Sequence, residues 1–280
     1  MTVDIELAPG IDNYAVMGNP VAHSKSPLIH QAFAVQTGER LHYQAILVPV
    51  GGFEAALAEF QRQGGRGLNI TVPFKEDACR AMAELTTRAE EAGAVNTVWF
   101  GDDGRRCGDT TDGVGLVRDL RRQGIELAGS RLLILGAGGA VRGVVGELMT
   151  QRPQSLLIAN RTVSRARALR ERFDRHPNID VCGFDELAAG ERFDVVINAI
   201  PAGLTAALPP LPEDLARGGC CYDMVYGDAA TPFVAWAMDH GAGTVSDGLG
   251  MLVEQAAESF YIWRGVRPET GPVIEMLRKA

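Results

Sequence analysis

The sequence predicts two α/β domains, and three observations lead there. Through the first third of the chain, short apolar runs alternate with helical patterns in the order β-α-β-α-β. That order argues for a mainly parallel sheet covered by helices. A second series of the same kind begins at Arg131. The length of 280 residues fits about two domains at roughly 150 residues each.

Composition narrows the function classes. Apolar residues make up 46% and charged residues 22%, which suits a chain that folds around real cores rather than a disordered one. The net charge of −8, from 27 basic and 35 acidic residues, gives no general pull toward nucleic acid or an anionic membrane. A local basic cluster can still bind a small anion. No apolar run approaches about 18 residues, so no transmembrane helix is expected. The first ten residues carry Asp4 and Glu6 and lack a basic start with an apolar centre, so no secretory signal is expected there. Cys79, Cys107, Cys182, Cys220 and Cys221 are odd in number, with one adjacent pair and no CxxC. They read as reduced thiols of a cytoplasmic protein. His23, His30, His42, His176 and His240 show no metal-ligand spacing, and no structural metal is expected.

In chain order, Tyr14–Gly18 reads as a strand and Pro27–Thr37 as a helix, with Leu28, Ala32 and Val35 on one apolar face. Tyr43–Val48 is a strand, Phe53–Gln63 a helix, Gly67–Val72 a strand, Lys75–Ala83 a helix and Val95–Phe100 a strand. Asp112–Gln123 reads as a helix ended by Gly124. The second series runs strand Arg131–Leu135, helix Gly139–Met149, strand Leu156–Ala159, helix Ser164–Phe173 and strand Asp194–Ala199. A loop with Pro201, Pro209, Pro210 and Pro212 follows, then strand Cys220–Met224 and helix Thr231–His240. Leu249–Trp263 is a long helix with Leu252, Ala256, Phe260 and Trp263 at helical spacing. With no strand of its own, this last segment must pack on one of the two domains.

Gly136-Ala137-Gly138-Gly139-Ala140 follows an apolar strand and opens a helix. That context distinguishes a Rossmann dinucleotide turn from a chance pair of glycines. Gly136 would make the tight turn, Gly138 would admit a pyrophosphate, and the helix N-terminus would offer its free N–H groups. Val141 stands at the sixth position of the fingerprint, where a small residue is usual. It should either spread the helix from the strand or shift the register of the turn. The next strand ends in Asn160-Arg161-Thr162, with Arg165 one turn later, and carries no carboxylate for a ribose 2′-hydroxyl. Two guanidinium groups and a hydroxyl suit a 2′-phosphate, so the cofactor reads as NADP rather than NAD. Arg167 reads as part of a solvated helix face.

A second group of segments carries candidate chemistry. Ser24 and Ser26 stand just before a helix, where two hydroxyls beside a positive helix end suit a carboxylate. Ser26 before Pro27 also reads as a helix N-cap, whereas Ser24 lacks that explanation. Lys75 opens a helix, a place the helix dipole disfavours for a cation by roughly 0.3–1 kcal/mol. A lysine there suits proton exchange near neutral pH. Asn96 heads a strand and offers both amide ends to hydroxyls, although a turn asparagine is equally natural. Asp112 reads as an N-cap, or as the partner of Lys75 at a substrate hydroxyl.

Together these segments resemble the shikimate dehydrogenases, over nearly the whole chain. The resemblance rests on Gly18-Asn19-Pro20 with His23-Ser24-Lys25-Ser26-Pro27, Asn69-Ile70-Thr71-Val72-Pro73-Phe74-Lys75 and Ala94-Val95-Asn96-Thr97. It continues through Gly108-Asp109-Thr110-Thr111-Asp112, the glycine turn, Asn160-Arg161-Thr162, Tyr222-Asp223-Met224-Val225-Tyr226, and Asp247-Gly248-Leu249-Gly250 through Gln255. It implies NADP-linked reversible oxidation of shikimate to 3-dehydroshikimate by a monomer or homodimer. It implies a substrate domain over residues 1–111 and 247–280, a Rossmann NADP domain over 112–246, a C-terminal helix returning to the first domain, and an active site in the cleft. Ser24, Ser26 and Tyr226 would hold the carboxylate, and Thr71, Asn96, Asp112 and Gln255 the ring hydroxyls. Lys75 and Asp112 would be the catalytic pair. Asn160, Arg161, Thr162 and Arg165 would take the 2′-phosphate, and Gly248 would border the cofactor. Thr110 departs from a common Asn, and Ile200 from a common Thr near the nicotinamide.

Both serines with both arginines favour shikimate and NADP over a broader quinate/shikimate dehydrogenase. A non-catalytic NADP-binding sensor on the same fold is expected to lack Lys75 or Asp112, and both are present.

Overall fold

The computed structural model describes residues 5–200 and 208–279; Pro201 of the predicted loop lies outside them. The chain forms two compact units, Met1–Gly115 with Val253–Ala280, and Leu116–Leu252. The divisions fall inside two continuous helices, α5 (Asp112–Arg122) and α9 (Leu249–Arg264), not at the loops before them.

The first unit contains β1 (Asp12–Gly18), α1 (Ser26–Thr37), β2 (Leu41–Leu47), α2 (Phe53–Arg62), β3 (Gly67–Ile70), α3 (Lys75–Ala81), β4 (Glu84–Leu85), α4 (Thr87–Ala92), β5 (Thr97–Phe100) and β6 (Arg106–Asp109). Its sheet order is β2-β1-β3-β5-β6-β4. β1 runs parallel to β2 and β3, and β4 parallel to β6, while β5 is antiparallel to both its neighbours. The sheet is therefore mainly parallel with one reversed strand. The reversal comes from a tight turn the sequence reading passed over: Gly104, at φ +78°, donates its N–H to Gly101 O at 2.8 Å. So short a connection joins only antiparallel strands.

The face expected to be the core side of α1 is corrected. Leu28 and Val35 are 56% and 80% exposed, while Ile29, His30, Phe33 and Ala34 are buried. The helix carries two apolar stripes, and ring packing decides between them. His30 stacks on Tyr43 at 4.2 Å, and Phe33 meets Phe260 edge-on at 5.7 Å. The C-terminal part of α9 packs in this unit: Phe260 is fully buried, and Trp263 stacks on Tyr14 at 4.6 Å and donates to Val98 O at 3.0 Å. A last helix, α10 (Gly271–Lys279), was not predicted.

The second unit holds β7 (Arg131–Leu135), α6 (Gly139–Thr150), β8 (Ser155–Ala159), α7 (Val163–Arg172), β9 (Ile179–Cys182), β10 (Val195–Asn198), β11 (Cys220–Asp223), α8 (Pro232–Asp239) and β12 (Thr244–Ser246). All six strands are parallel, in the order β12-β11-β10-β7-β8-β9. This is the doubly wound Rossmann order, whose direction reverses between β7 and β10. Helices cover both faces, so Leu132 through Leu135 are buried on alternate sides of the sheet. The two short edge strands β9 and β12 escaped sequence reading because three or four mixed residues carry little periodic signal. No described helix is long and apolar enough to cross a membrane.

Candidate active site

The first unit gathers its chemistry at the edge of the sheet where β3 and β6 lead into the helices that follow and the reversed strand β5 begins. β3 ends at Ile70, and after four intervening residues Lys75 opens α3. β6 ends at Asp109, and Asp112 is the first residue of α5. Lys75 Nζ lies 2.5 Å from Asp112 Oδ2, and both side chains are largely shielded from solvent. The other Asp112 oxygen accepts from Asn96 Nδ2 at 2.8 Å. The Asn96 amide is oriented unambiguously, because its Oδ1 accepts from the Thr111 backbone N–H at 2.8 Å. Gln255, on α9, brings Oε1 within 3.3 Å of Asn96 Nδ2 and 3.4 Å of Thr111 Oγ1. Lys75, Asp112, Asn96 and Gln255 are thus brought together. Asp112 is no simple helix cap, since its carboxylate is spent on Lys75 and Asn96.

The corner before Asp112 is braced by Asp109, which is buried. Its carboxylate takes a two-armed bond from Arg88 at 2.7 and 2.5 Å and a third from Thr86 Oγ1 at 2.5 Å.

Ser24 and Ser26 form one small unit before α1. Ser26 is buried and is the first helical residue, with Lys25 at the N-cap, so the reading of Ser26 as the cap is corrected. It is Ser24 Oγ that accepts from the Ser26 N–H, at 3.3 Å. Ser24 therefore has a local structural reason that the sequence did not reveal. Thr71 is half-buried, just after β3.

A buried polar network that sequence reasoning missed runs from Tyr43 on β2 to the Lys75–Asp112 group. Tyr43 donates to Asn69 Oδ1 at 2.8 Å. Asn69 Nδ2 donates to Asn96 O at 3.1 Å and to Ser259 Oγ at 2.9 Å. Ser259 lies 2.7 Å from Thr97 Oγ1, which donates to Asn96 Oδ1 at 2.9 Å. Asn69 and Thr111 stood inside the quoted segments, but nothing in their spacing showed what they touch.

His30 Nε2 faces Asn69 Oδ1 at 3.2 Å. That oxygen is an acceptor, so Nε2 carries the proton, and the Nδ1 of the fully buried ring has no partner among the described residues. Burial pushes the imidazole down to about 3 from its ordinary 6.5. Between those values the unfolded chain binds a proton that the folded chain refuses, so stability is lost as pH falls below about 6.5, by up to about 1.4 kcal/mol per unit. His30→Phe keeps the stack on Tyr43 and removes the proton site. Denaturant unfolding between pH 6.5 and 5 should show a shallower loss for this variant, and equal slopes would contradict the assignment.

In the second unit, Gly136 has φ +115°, and a Cβ there would press on the Ala199 carbonyl at 3.3 Å. Packing within the chain therefore requires this glycine. Gly138 and Gly139 differ: a Cβ on either meets nothing within 4 Å, and Gly138 at the N-cap of α6 gives no side chain to the first-turn N–H groups. A bare helix N-terminus with two glycines that the protein itself does not require fits a pyrophosphate. Ala137 is half-buried and Ala140 exposed beside them. The expected disturbance by Val141 is corrected. Val141 is fully buried with Val144, Val145 and Leu148, and α6 starts at Gly139 with the β7–β10 register intact. The side chain turns into the core, away from the turn.

Asn160 Nδ2 bonds Thr162 O at 2.8 Å, shaping the turn in which Arg161 is exposed. Arg161 and Arg165 make no ion pair among the described residues. Two exposed arginines without carboxylates fit a 2′-phosphate. Tyr226 follows β11, half-buried, and burial raises its phenol. Gly248 has a structural reason of its own, since a Cβ there would fall 2.3 Å from Met224 O.

Three family models match the chain in order: the shikimate dehydrogenase substrate binding domain over residues 16–98, shikimate / quinate 5-dehydrogenase over 119–207, and the shikimate 5′-dehydrogenase C-terminal domain over 248–278. The shikimate dehydrogenase (NADP(+)) of Alkalilimnicola ehrlichii is 58% identical over 95% of this chain and 98% of its own length. The chain belongs to the shikimate dehydrogenase family.

Solved structures agree with that membership. A shikimate 5-dehydrogenase from Thermus thermophilus, in complex with NADP(H) and shikimate, has a TM-score of 0.84 at 34% identity, over 96% of this chain and 99% of that one. An Ael1 enzyme from Pseudomonas putida has a TM-score of 0.90 at 45% identity, over 95% and 98%. In this shikimate dehydrogenase, the substrate-binding match runs from the end of β1 to the middle of β5 and includes both Lys75 and Asn96.

Proposed function

We infer that this protein catalyses the reversible NADP-linked interconversion of 3-dehydroshikimate and shikimate, with Lys75 and Asp112 as the catalytic pair. The observation that carries the chemistry is the Lys75–Asp112 contact at 2.5 Å, with Asn96 on the second carboxylate oxygen. NADP, when bound, supplies or accepts the hydride. In the reducing direction, the Lys75 ammonium gives a proton to the substrate oxygen as negative charge develops there. In the oxidising direction, the neutral amine takes the hydroxyl proton. Asp112 holds the ammonium in place, and Asn96 stops the carboxylate from turning away.

The other assignments rest on the residue-by-residue resemblance. Ser24, Ser26 and Tyr226 hold the carboxylate, and Thr71, Asn96, Asp112 and Gln255 the ring hydroxyls. Gly136, Ala137, Gly138, Gly139 and Ala140 take the pyrophosphate, and Asn160, Arg161, Thr162 and Arg165 the 2′-phosphate. Resemblance alone assigns Gly248 to the cofactor. Residues 1–111 and 247–280 make the substrate domain, and 112–246 the NADP domain. Five cysteines, all free, support a cytoplasmic setting.

Nicotinamide absorbance with shikimate or quinate, each with NADP or NAD, tests the reading. Turnover with shikimate and NADP alone is expected. Comparable rates with quinate or NAD would place the protein among broader quinate/shikimate dehydrogenases. NADP binding without turnover would favour a sensor.

A further inference from the structure

We infer that Asp223 is a positioning residue for the cofactor side of the second unit: one buried carboxylate holds Ala199 and Ile200, which leave β10 and meet the glycine turn, together with the loop after β11. The inference rests on the NADP reading above and extends it to a residue that reading leaves without a role.

Asp223 ends β11 and is fully buried. Such a carboxylate is costly unless its oxygens are satisfied, and burial raises its pKa despite its donors. Oδ1 accepts from Asn198 Nδ2 at 2.9 Å and from the Val225 N–H at 3.0 Å, and Oδ2 accepts from the Thr231 hydroxyl. No arginine or lysine is among these donors, so the group is held by position rather than by a counter-ion.

Each donor governs a loop at the C-terminal edge of the parallel sheet, where ligands of this fold bind. With its amide hydrogens turned to Asp223, Asn198 has Oδ1 free to accept the Ile200 N–H at 3.2 Å, which fixes the chain leaving β10. That chain is the surface the glycine turn meets, since a Cβ on Gly136 would lie 3.3 Å from the Ala199 carbonyl and 3.5 Å from Ile200 N. Val225 and Thr231 bracket the loop that carries Tyr226, and Val225 O in turn accepts the Gly248 N–H at 3.1 Å. Gly136, Ile200, Tyr226 and Gly248 stand far apart in sequence, yet each is at most two or three contacts from one carboxylate.

NADPH fluorescence titration of Asp223→Ala and Asp223→Asn tests this, with thermal unfolding of each variant and temperatures held well below the transition. Alanine leaves two buried donors and one part-buried donor unpaired, and NADPH binding should weaken by roughly tenfold or more. Asparagine keeps an acceptor for Asn198 and Val225 and gives Thr231 a donor, so it should restore binding to within about threefold of the parent. If Asp223→Ala does not fold, Asn198→Ala, which cuts the same link from its other end, should weaken NADPH to a similar degree. Parent-like NADPH binding in a folded Asp223→Ala or Asn198→Ala protein would overturn the inference, as would an asparagine variant no better than alanine. No NADPH binding by the parent protein would instead overturn the cofactor reading on which it rests.

Discussion

Replacing Lys75 by alanine should lower kcat by about 10²- to 10⁴-fold, the range carried by a positioned proton-transfer group. The Michaelis constant for shikimate should change much less, because Ser24, Ser26, Thr71 and Gln255 are untouched. The prediction turns on placement. Lys75 is the first residue of α3, held against a carboxylate that is itself fixed by Asn96. Asp112→Asn should lose a comparable factor in kcat, since an amide keeps the shape and gives up the charge that holds the ammonium. If the two act as one unit, the double variant should cost little more than the worse single one. Alanine at 75 leaves a shielded carboxylate with one partner fewer, so thermal unfolding must accompany the kinetics. A stable Lys75→Ala protein with kcat near that of the parent would remove Lys75 from the mechanism.

Arg161→Ala combined with Arg165→Ala should weaken NADP by roughly a hundredfold or more, while NAD binding stays close to its starting value. Charge-assisted bonds from two guanidinium groups to one phosphate account for the size of the effect. Neither arginine makes an ion pair among the described residues, so removing them should shift stability by no more than about 0.5 kcal/mol. The preference for NADP over NAD in the parent should also shrink as salt is raised, because exposed charges are screened. Equal loss of NADP and NAD affinity would refute the 2′-phosphate assignment.

The parts of this site that were legible in the sequence are those whose cause is local. A strand of consecutive apolar residues, a glycine turn and a helix lie within a few residues of each other, so Gly136 through Ala140 could be read directly. The same is true of Arg161 and Arg165 in place of an acidic residue. Short-range reasoning failed where two local answers were equally good. Leu28, Ala32 and Val35 make as plausible a helix face as Ile29, Phe33 and His30, and only the rings of Tyr43, Phe260 and Trp263 select the second. Ser26 lost its expected capping role for a related reason: the helix is capped at Lys25, and one N–H to Oγ bond gives Ser24 the local structural role instead. The turn at Gly104 was a local signal that went unread, and with it went β6 and the reversal of β5.

What the sequence by itself determined was therefore the two α/β series, the glycine turn and the choice of NADP, while for Asp112 it left a helix cap and a partner of Lys75 both open. Only the tertiary structure decided how these residues are held. Asn69 meets Ser259 across 190 positions of chain, Tyr222 bonds Asp119 across 103, and Asp223 draws in Asn198 from the neighbouring strand. The physical reason is that propensity, capping and turn chemistry act within a turn or two of helix, whereas a buried polar group must find its partner wherever the packed fold brings one.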